Sequence, residues 1–240
     1  MSERLWTFRP AADFDRPELV RLGEEPRVSG GRGHGVRTLA ALSLRAFLHT
    51  YHRLEIVGRE HLPREGSFVL VANHSSHLDA LCLLAALPLG HLTRTYAAAA
   101  EDYFFVNRRR VAMAGVFANA IPFARKVHLR RSLDLCRRVL AGPDNILILF
   151  PEGTRTTTGK LGEFRPGIGS LMAGTSIPVV ACAIQGAYRA WPKGVRFPRP
   201  RGVRLVIGPP RSYAHLPPGR ESSDRIAREL HDVVQELLCQ

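Results

Sequence analysis

The stretch SFVLVANHSSHLD, residues 67–79, places a strand, a turn and the start of a helix in succession, and it sets the fold class. Residues 67–72 are mostly apolar, which is typical of a short buried strand. The apolar run that follows predicts a helix over 77–87. Ser76 is a suitable N-cap residue, and Asp79, three positions later, can complete a capping box. The stretch therefore predicts a strand that turns tightly into a helix.

His74 lies in this turn, five positions before Asp79. Its ring can fold back over the first helical turn and meet the carboxylate of Asp79. A carboxylate on one imidazole nitrogen fixes the tautomer and raises the basicity of the other nitrogen. The pair would form an oriented general base without a nucleophile of its own, so that a substrate alcohol would have to supply one. Two structural roles compete: Asp79 as a capping residue, and His74 as a turn histidine bonded to backbone.

His77 is a second histidine of this segment, two positions before Asp79. The two residues lie roughly 200° apart around the predicted helix, so Asp79 is poorly placed to orient His77. A metal site formed by His74, His77 and Asp79 is conceivable. Its spacing is not a zinc signature, and no cluster of Cys or His supplies further ligands. We expect no metal here.

A second stretch, ILILF at 146–150, is apolar throughout, as in a strand buried on both faces. It runs directly into PEGTR at 151–155. Gly153 permits a tight turn, and Arg155 offers a planar fork suited to a phosphate or a carboxylate. An ordinary polar turn would also fit this pattern. Open α/β sheets, however, bind their ligands at the carboxyl ends of central strands.

These two stretches together resemble the glycerolipid acyltransferases, whose best-known members are the lysophosphatidate acyltransferases. The resemblance rests on Asn73-His74 with Asp79, followed about seventy residues later by FPEGTR at 150–155. Three weaker blocks follow the family order: AIPFAR at 120–125, FRPG at 164–167 and IPVVAC at 177–182. The family usually has a glycine at 119 or 120, an acidic residue at 124 and a second proline at 181. The resemblance covers about residues 36 to 212.

The resemblance implies acyl transfer from acyl-CoA or acyl-carrier-protein, as co-substrate, to the hydroxyl of a lysophospholipid. The default acceptor is 1-acylglycerol-3-phosphate, which would give phosphatidic acid; other lysolipids and amino-lipids are alternatives. His74 would be the base and Asp79 its orienting partner, with no acyl-enzyme, metal or cofactor. Backbone amides near the start of the helix would stabilise the tetrahedral intermediate. The acceptor and its phosphate would be held by Glu152, Gly153, Thr154, Arg155 and Arg125, supported by Asn73, Pro151 and Pro178.

One role remains open within that set. Glu152 would either bond an acceptor hydroxyl or brace Arg155.

The formal net charge of +13 predicts an anionic partner, which could be nucleic acid, an acidic membrane surface or an acidic substrate. The basic runs contain few aromatic residues and no recognition motif, which argues against a nucleic-acid partner. A phosphate-binding loop over 153–160 is also excluded, because five residues separate its glycines and Leu161 replaces the required Ser or Thr. In a protein that handles phospholipid, the basic runs at 108–110, 125–131 and 193–204 favour an anionic membrane surface.

The sequence also bears on location. Residues 1–15 lack the apolar core of a signal peptide, and no segment is long enough to span a bilayer. Four cysteines without metal or redox spacing indicate a reducing compartment. We therefore expect a peripheral protein on the cytoplasmic side of a membrane. The amphipathic segment 38–48 could be an interfacial helix or a helix that covers the sheet.

Alternating helix and strand patterns predict an α/β fold with a mixed, mostly parallel sheet flanked by helices. Residues 1–35 are expected to form a flexible tail, and residues 36–240 the acyltransferase domain. An amphipathic helix over 222–238 ends that domain. The remaining patterns predict strands at 53–57, 67–72, 93–98, 120–124, 145–150, 177–185 and 202–207, and helices at 36–50, 77–87, 102–118, 131–141 and 167–174.

Overall fold

The computed structural model describes residues 31–100, 119–123 and 129–240. The chain divides into two compact units, Met1–Val36 and Arg37–Gln240. The helices are α1 (Gly31–Tyr51), α2 (Asp79–Ala86), α3 (Leu129–Leu140), α4 (Gly167–Met172), α5 (Ala187–Ala190) and α6 (Arg220–Leu238). The strands are β1 (Glu55–Val57), β2 (Phe68–Ala72), β3 (Thr95–Ala100), β4 (Asn119–Phe123), β5 (Ile146–Leu149), β6 (Val179–Gln185) and β7 (Arg204–Arg211).

The seven strands form one sheet in the order β1-β7-β6-β2-β5-β3-β4. All neighbouring pairs are parallel except β6 and β7, which are antiparallel. The sheet is therefore mixed and mostly parallel, and the predicted fold class is confirmed. The predicted helix 102–118 lies outside the described residues.

Two neighbouring central strands position the site. Every residue of β2 and β5 is buried, in keeping with their continuous apolar sequences. The strands are parallel, with Val71 opposite Leu149, so their carboxyl ends meet at one edge of the sheet. The segments that follow them, 73–79 and 150–155, are thereby brought together although they lie far apart in sequence.

Helix α2 begins at Asp79 rather than at residue 77, and Ser76 is not its N-cap. Half of the predicted capping box forms, because Asp79 Oδ2 accepts the backbone N–H of Ser76 over 2.8 Å. The hydroxyl of Ser76 is used differently: it accepts the N–H of Leu78 and donates to the carbonyl of Trp191. An isolated antiparallel bridge from Ser76 to Pro192 keeps this residue extended and delays the helix.

The structure also differs from the sequence prediction in strand β7 and in helix α5. Strand β7 continues to Arg211, through Pro209 and Pro210, past its predicted end at residue 207. Proline is accepted there because the pairing with β6 shifts register between Val180 and Cys182. Helix α5 has four residues, too few to show a helical period in the sequence.

Helix α1 both covers the core and keeps an exposed side. Ala41 and Leu48 are buried, whereas Leu39 and Leu42 are 67% and 48% exposed. Arg45 donates a hydrogen bond to the carbonyl of Leu87, just beyond the end of α2. Within residues 31–100, 119–123 and 129–240, no helix has both the length and the apolarity needed to cross a bilayer.

Helix α6 docks on the body through Ile226, Leu230, Val234 and Leu237, which are buried. Its first turn approaches α4 closely, since a Cβ on Gly169 would lie 2.1 Å from the carbonyl oxygen of Ser223.

Candidate active site

The structure brings His74 and Asp79 into direct contact. His74 Nδ1 lies 2.9 Å from Asp79 Oδ2, and the carboxylate side chain is fully buried while that of His74 is 21% exposed. Since a carboxylate accepts, Nδ1 carries the proton and donates it in this bond. Nε2 of the neutral ring is then the nitrogen with a free lone pair. The arrangement can therefore take a proton from a group that approaches the exposed side of the ring.

Asp79 also orders the turn that carries its partner. Its Oδ2 accepts the backbone N–H groups of Ser75 and Ser76 over 2.6 and 2.8 Å, in addition to His74 Nδ1. The capping role and the orienting role, which the sequence analysis set against each other, are performed by the same oxygen. Asp79 Oδ1 is buried and has no hydrogen-bond partner among the described residues.

The backbone amides from His74 to Leu78 are all engaged. Besides the two amides on Asp79, His74 N donates to Glu152 Oε1, His77 N to the Trp191 carbonyl and Leu78 N to Ser76 Oγ. The expectation that amides of this segment would stabilise a negative intermediate is therefore wrong for these five groups. A developing negative charge at this site must be met by other donors.

Segment 150–156 holds the backbone and the ring of His74. The His74 ring stacks on Phe150 with a centroid separation of 4.1 Å and an interplanar angle of 18°. The carbonyl of His74 accepts the N–H of Thr156 over 2.8 Å, and its N–H is bound to Glu152 over 2.6 Å. Ring and backbone are thus fixed by the strand β5 extension, so the imidazole has little freedom to leave Asp79.

Glu152 uses both carboxylate oxygens on backbone groups. Oε1 accepts from His74 N and Oε2 from Gly162 N, over 2.6 and 3.0 Å. Burial raises the pKa of Glu152 to about 6, and the two backbone hydrogen bonds oppose that rise only partly. The carboxylate thereby joins the turn that carries His74 to the loop that follows residue 155, and the two roles considered from the sequence stay predictions.

Arg155 contacts His77. Its Nη1 lies 2.6 Å from Nδ1 and 2.7 Å from Nε2 of that ring, and the ring packs against Trp191 at 5.0 Å between centroids. His77 therefore supports the guanidinium of Arg155 while Asp79 is bonded to His74. A metal site that joins all three side chains of His74, His77 and Asp79 does not fit this division.

Three other predicted site residues make hydrogen bonds that connect the backbone segments around the site. The side-chain amide of Asn73 donates to the carbonyl of Ile184 and accepts its N–H, over 3.0 and 2.8 Å, which ties the end of β2 to β6. The carbonyl of Pro178 accepts Val69 N, and that of Pro151 accepts Arg165 N.

Of the remaining predicted acceptor-binding residues, the structure describes Gly153 and Thr154. Gly153 has φ +73°, and a Cβ at this position would lie 2.9 Å from Arg165 Nε. Thr154 is exposed. Arg125 lies outside the described residues, so its place in the site stays a prediction.

A cavity of about 200 Å³ opens beside the dyad. His74, Ser75, Glu152, Lys160 and Tyr188 are among the residues that line it. The hydroxyl of Tyr188 donates to the carbonyl of Thr157 over 2.6 Å, and this bond holds the loop that follows residue 155 at the cavity. The sequence did not single out Lys160 as a lining residue, or Tyr188 at all. The sequence indicates only that Lys160 follows the PEGTR segment closely and that Tyr188 lies in the short helix α5, soon after the end of β6.

The buried thiols do not provide a nucleophile. Cys82 and Cys182 are fully buried, and burial raises the pKa of both well above its usual range. Neutral, inaccessible thiols serve as core residues, as the sequence indicated.

Comparison with known proteins gives concordant results. A family model described as Acyltransferase matches residues 53–185. A chloroplastic 1-acyl-sn-glycerol-3-phosphate acyltransferase of Brassica napus is 29% identical over 172 residues, which is 68% of this chain and 46% of that protein. The Arabidopsis thaliana chloroplastic protein of the same description is 27% identical over 201 residues, 80% of this chain and 51% of that protein. The chain thus spans about half the length of the curated relatives it matches.

A solved structure agrees in fold. The crystal structure of the 1-acyl-sn-glycerophosphate acyltransferase of Thermotoga maritima superimposes with a TM-score of 0.61. The match covers 92% of this chain and 88% of that one, at 22% sequence identity.

Proposed function

Because the chain belongs to the acyltransferase family, we propose that it moves a fatty acyl chain from a thioester to the hydroxyl of a lysophospholipid. The proposed acceptor is 1-acylglycerol-3-phosphate and the product phosphatidic acid, as the descriptions of the relatives suggest. The observation that carries the proposal is the 2.9 Å contact between His74 Nδ1 and the buried Asp79, beside an open cavity.

In the proposed reaction His74 Nε2 takes the proton of the acceptor hydroxyl as its oxygen attacks the thioester carbonyl carbon. The new C–O bond forms and the C–S bond breaks, and the imidazolium returns the proton to the leaving thiolate. Asp79 stabilises the imidazolium and fixes its tautomer. The acceptor supplies the nucleophile, so this reaction passes through no covalent acyl-enzyme.

Side chains provide the positive charge in this scheme, because the amides from His74 to Leu78 are already bonded. Arg155, supported by His77, is the proposed ligand of the acceptor phosphate, and its fork suits bidentate recognition. Arg125 is proposed as a second phosphate ligand. Lys160, which lines the cavity beside His74, is proposed as a further cation near the base.

The donor is proposed to be acyl-CoA or acyl-carrier-protein, with no metal or cofactor in the reaction. The proposed setting is the cytoplasmic face of a membrane with anionic lipids, where the protein is bound peripherally. The acceptor resides in the bilayer, and the net charge of +13 suits an anionic surface.

The proposal is tested by incubating the purified protein with a panel of lysolipids and both donors, and identifying products by mass spectrometry. We expect phosphatidic acid from 1-acylglycerol-3-phosphate, and none with the His74→Ala variant. If a lysolipid without a phosphomonoester is acylated efficiently, that lysolipid is the acceptor and 1-acylglycerol-3-phosphate is not. No transfer to any acceptor would contradict the proposed activity.

A further inference from the structure

The segment between α5 and β7, residues 191–202, combines exposed positive charge with one exposed aromatic side chain. Its sequence WPKGVRFPRPRG contains no acidic residue. Phe197 is 68% exposed, more than any other large apolar side chain in the described ranges. The segment, called here the basic loop, exposes Lys193, Arg196, Arg199 and Arg201.

The four basic side chains of the loop face no acidic partner within the part of the chain that the structure describes. The neighbouring Arg204, by contrast, lies 3.4 Å from Glu55. The guanidinium of Arg196 lies over the ring of Phe197, 5.2 Å from its centroid. Charge and ring are therefore presented together, the combination that suits a surface with anionic groups above an apolar layer.

The basic loop is held in shape. Trp191 Nε1 donates to the carbonyl of Val195 over 2.9 Å, and Arg199 N donates to the carbonyl of Ala190 over 2.8 Å. The hydroxyl of Tyr51 donates to the carbonyl of Pro198 over 3.2 Å. Three prolines restrict the backbone further. A preformed loop loses little conformational entropy when it binds a surface.

The base of the loop touches the segment that carries the dyad. The carbonyl of Trp191 accepts the backbone N–H of His77 over 3.2 Å and the hydroxyl of Ser76 over 2.8 Å. Whatever surface the loop rests on is therefore one short connection away from the proposed catalytic turn.

From these observations we infer that the basic loop is a membrane-docking element, with Phe197 inserted among lipids and the four basic side chains on anionic headgroups. The inference rests on the proposed function for the reason that a lipid acceptor reaches the site from a bilayer. An acidic carrier protein would be attracted by the same charges. An exposed phenyl ring flanked by arginines matches the layered polarity of a bilayer better, so we commit to the bilayer.

The test measures binding to vesicles of phosphatidylcholine with and without phosphatidylglycerol, in the absence of substrates. Phe197→Ser should lower the affinity for anionic vesicles by about tenfold or more, from the loss of a buried aromatic ring. The matched control is Leu39→Ser, since Leu39 is 67% exposed on α1. We expect the control to bind within about twofold of the parent, because a docking element elsewhere leaves α1 in water.

The charges are tested in the same way. Replacing Arg196 and Arg199 together by Gln should weaken binding by about 25-fold, at about fivefold per charge near an anionic surface. The control replaces Arg225 and Arg228, exposed on α6, by Gln, so that the net charge falls equally. A similar loss in both doubles would mean that only net charge matters, and it would overturn the inference.

Insertion itself is observed with Phe197→Trp, using the parent as background for the two tryptophans of the chain. Its emission should shift to the blue on anionic vesicles and be quenched by lipids brominated in their acyl chains. An unshifted spectrum, or parental affinity of Phe197→Ser, would overturn the inference. So would variants that bind vesicles normally but lose binding to holo-acyl-carrier-protein.

These outcomes separate the inference from the proposed function. If the protein binds vesicles through the basic loop but transfers no acyl chain, the membrane-docking role of the loop stands and the proposed acyltransferase activity is rejected. Phe197→Ser should retain parental turnover of a short-chain acceptor dissolved as monomers, since that substrate needs no membrane contact.

Discussion

The carboxylate of Glu152 accepts the backbone N–H of His74 over 2.6 Å, across 78 positions of sequence. Through this bond the segment that follows β5 holds the turn that follows β2, and it fixes the backbone of the proposed base. The same carboxylate accepts Gly162 N and thereby also fixes the loop beside the cavity. The position of His74 thus depends on two strands rather than on its own segment alone.

His74→Ala should abolish acyl transfer and leave the fold intact. General-base catalysis contributes roughly 10²–10⁴-fold, and Asp79→Asn should be nearly as damaging because it removes the charge that orients the ring. Steady-state rates and circular-dichroism melting curves check both variants. His77→Ala should act mildly, through Arg155. An inactive His77→Ala enzyme beside an active His74→Ala enzyme would show that the base is misassigned.

Glu152 predicts a specific pH dependence of stability. Burial raises its pKa from 4.5 to about 6, so between those values the folded protein holds a proton that the unfolded chain has lost. Stability from this group must therefore fall as pH rises through the window. Melting temperatures of wild type and Glu152→Gln are compared across it. The wild-type melting temperature, relative to the variant, should decline between pH 4.5 and 6; a rise would contradict the assignment.

Gly162→Ala should reduce turnover by displacing Glu152. An added Cβ would lie 2.8 Å from Glu152 Oε2, and that carboxylate cannot move away without losing one of its two backbone bonds. The matched control is Gly90→Ala, where the added methyl group meets nothing within 4 Å. We expect the turnover number to fall only in the first variant. Equal turnover in both would show that His74 does not depend on this carboxylate.

Arg155→Ala should raise the Michaelis constant for a phosphorylated acceptor far more than that for the acyl donor. Hydrogen bonds to a charged group contribute about 1.5–3 kcal/mol, and lysine should restore only part because it cannot form the fork. Both constants are measured with phosphorylated and unphosphorylated acceptors. An equal loss toward the two acceptors would favour a purely structural role for the contact with His77.

Helix α1 should show two separable faces. Leu48→Ala should lower the free energy of unfolding by about 2–5 kcal/mol, since Leu48 is fully buried. Leu42→Glu should leave the melting temperature unchanged, because Leu42 is 48% exposed. Vesicle binding by this second variant then reports membrane contact alone. A destabilised Leu42→Glu protein would place that side chain in the core.

Local features of the fold could be predicted from sequence. The apolar runs that became β2 and β5 are visible as unbroken hydrophobic segments, and the helical period of α6 places its buried face correctly. The sequence also offered the contact of His74 with Asp79 as one of several roles for these residues, because five positions across a tight strand-to-helix turn can lie close together. The first residue of α2 did not follow, since a bridge to Pro192 decides it.

The residues that carry the chemistry of this site can be read in the chain: an imidazole and a carboxylate in one turn, and an arginine after a second buried strand. The contacts that these groups make are set by the packing of the sheet. Glu152 is bonded to the backbone of His74, His77 contacts Arg155, and the backbone amides from His74 to Leu78 are bonded to neighbouring groups. The reason is physical. Hydrophobic period and residue spacing specify contacts within a segment, whereas these contacts depend on β5 lying beside β2, and strand order is a property of the packed sheet.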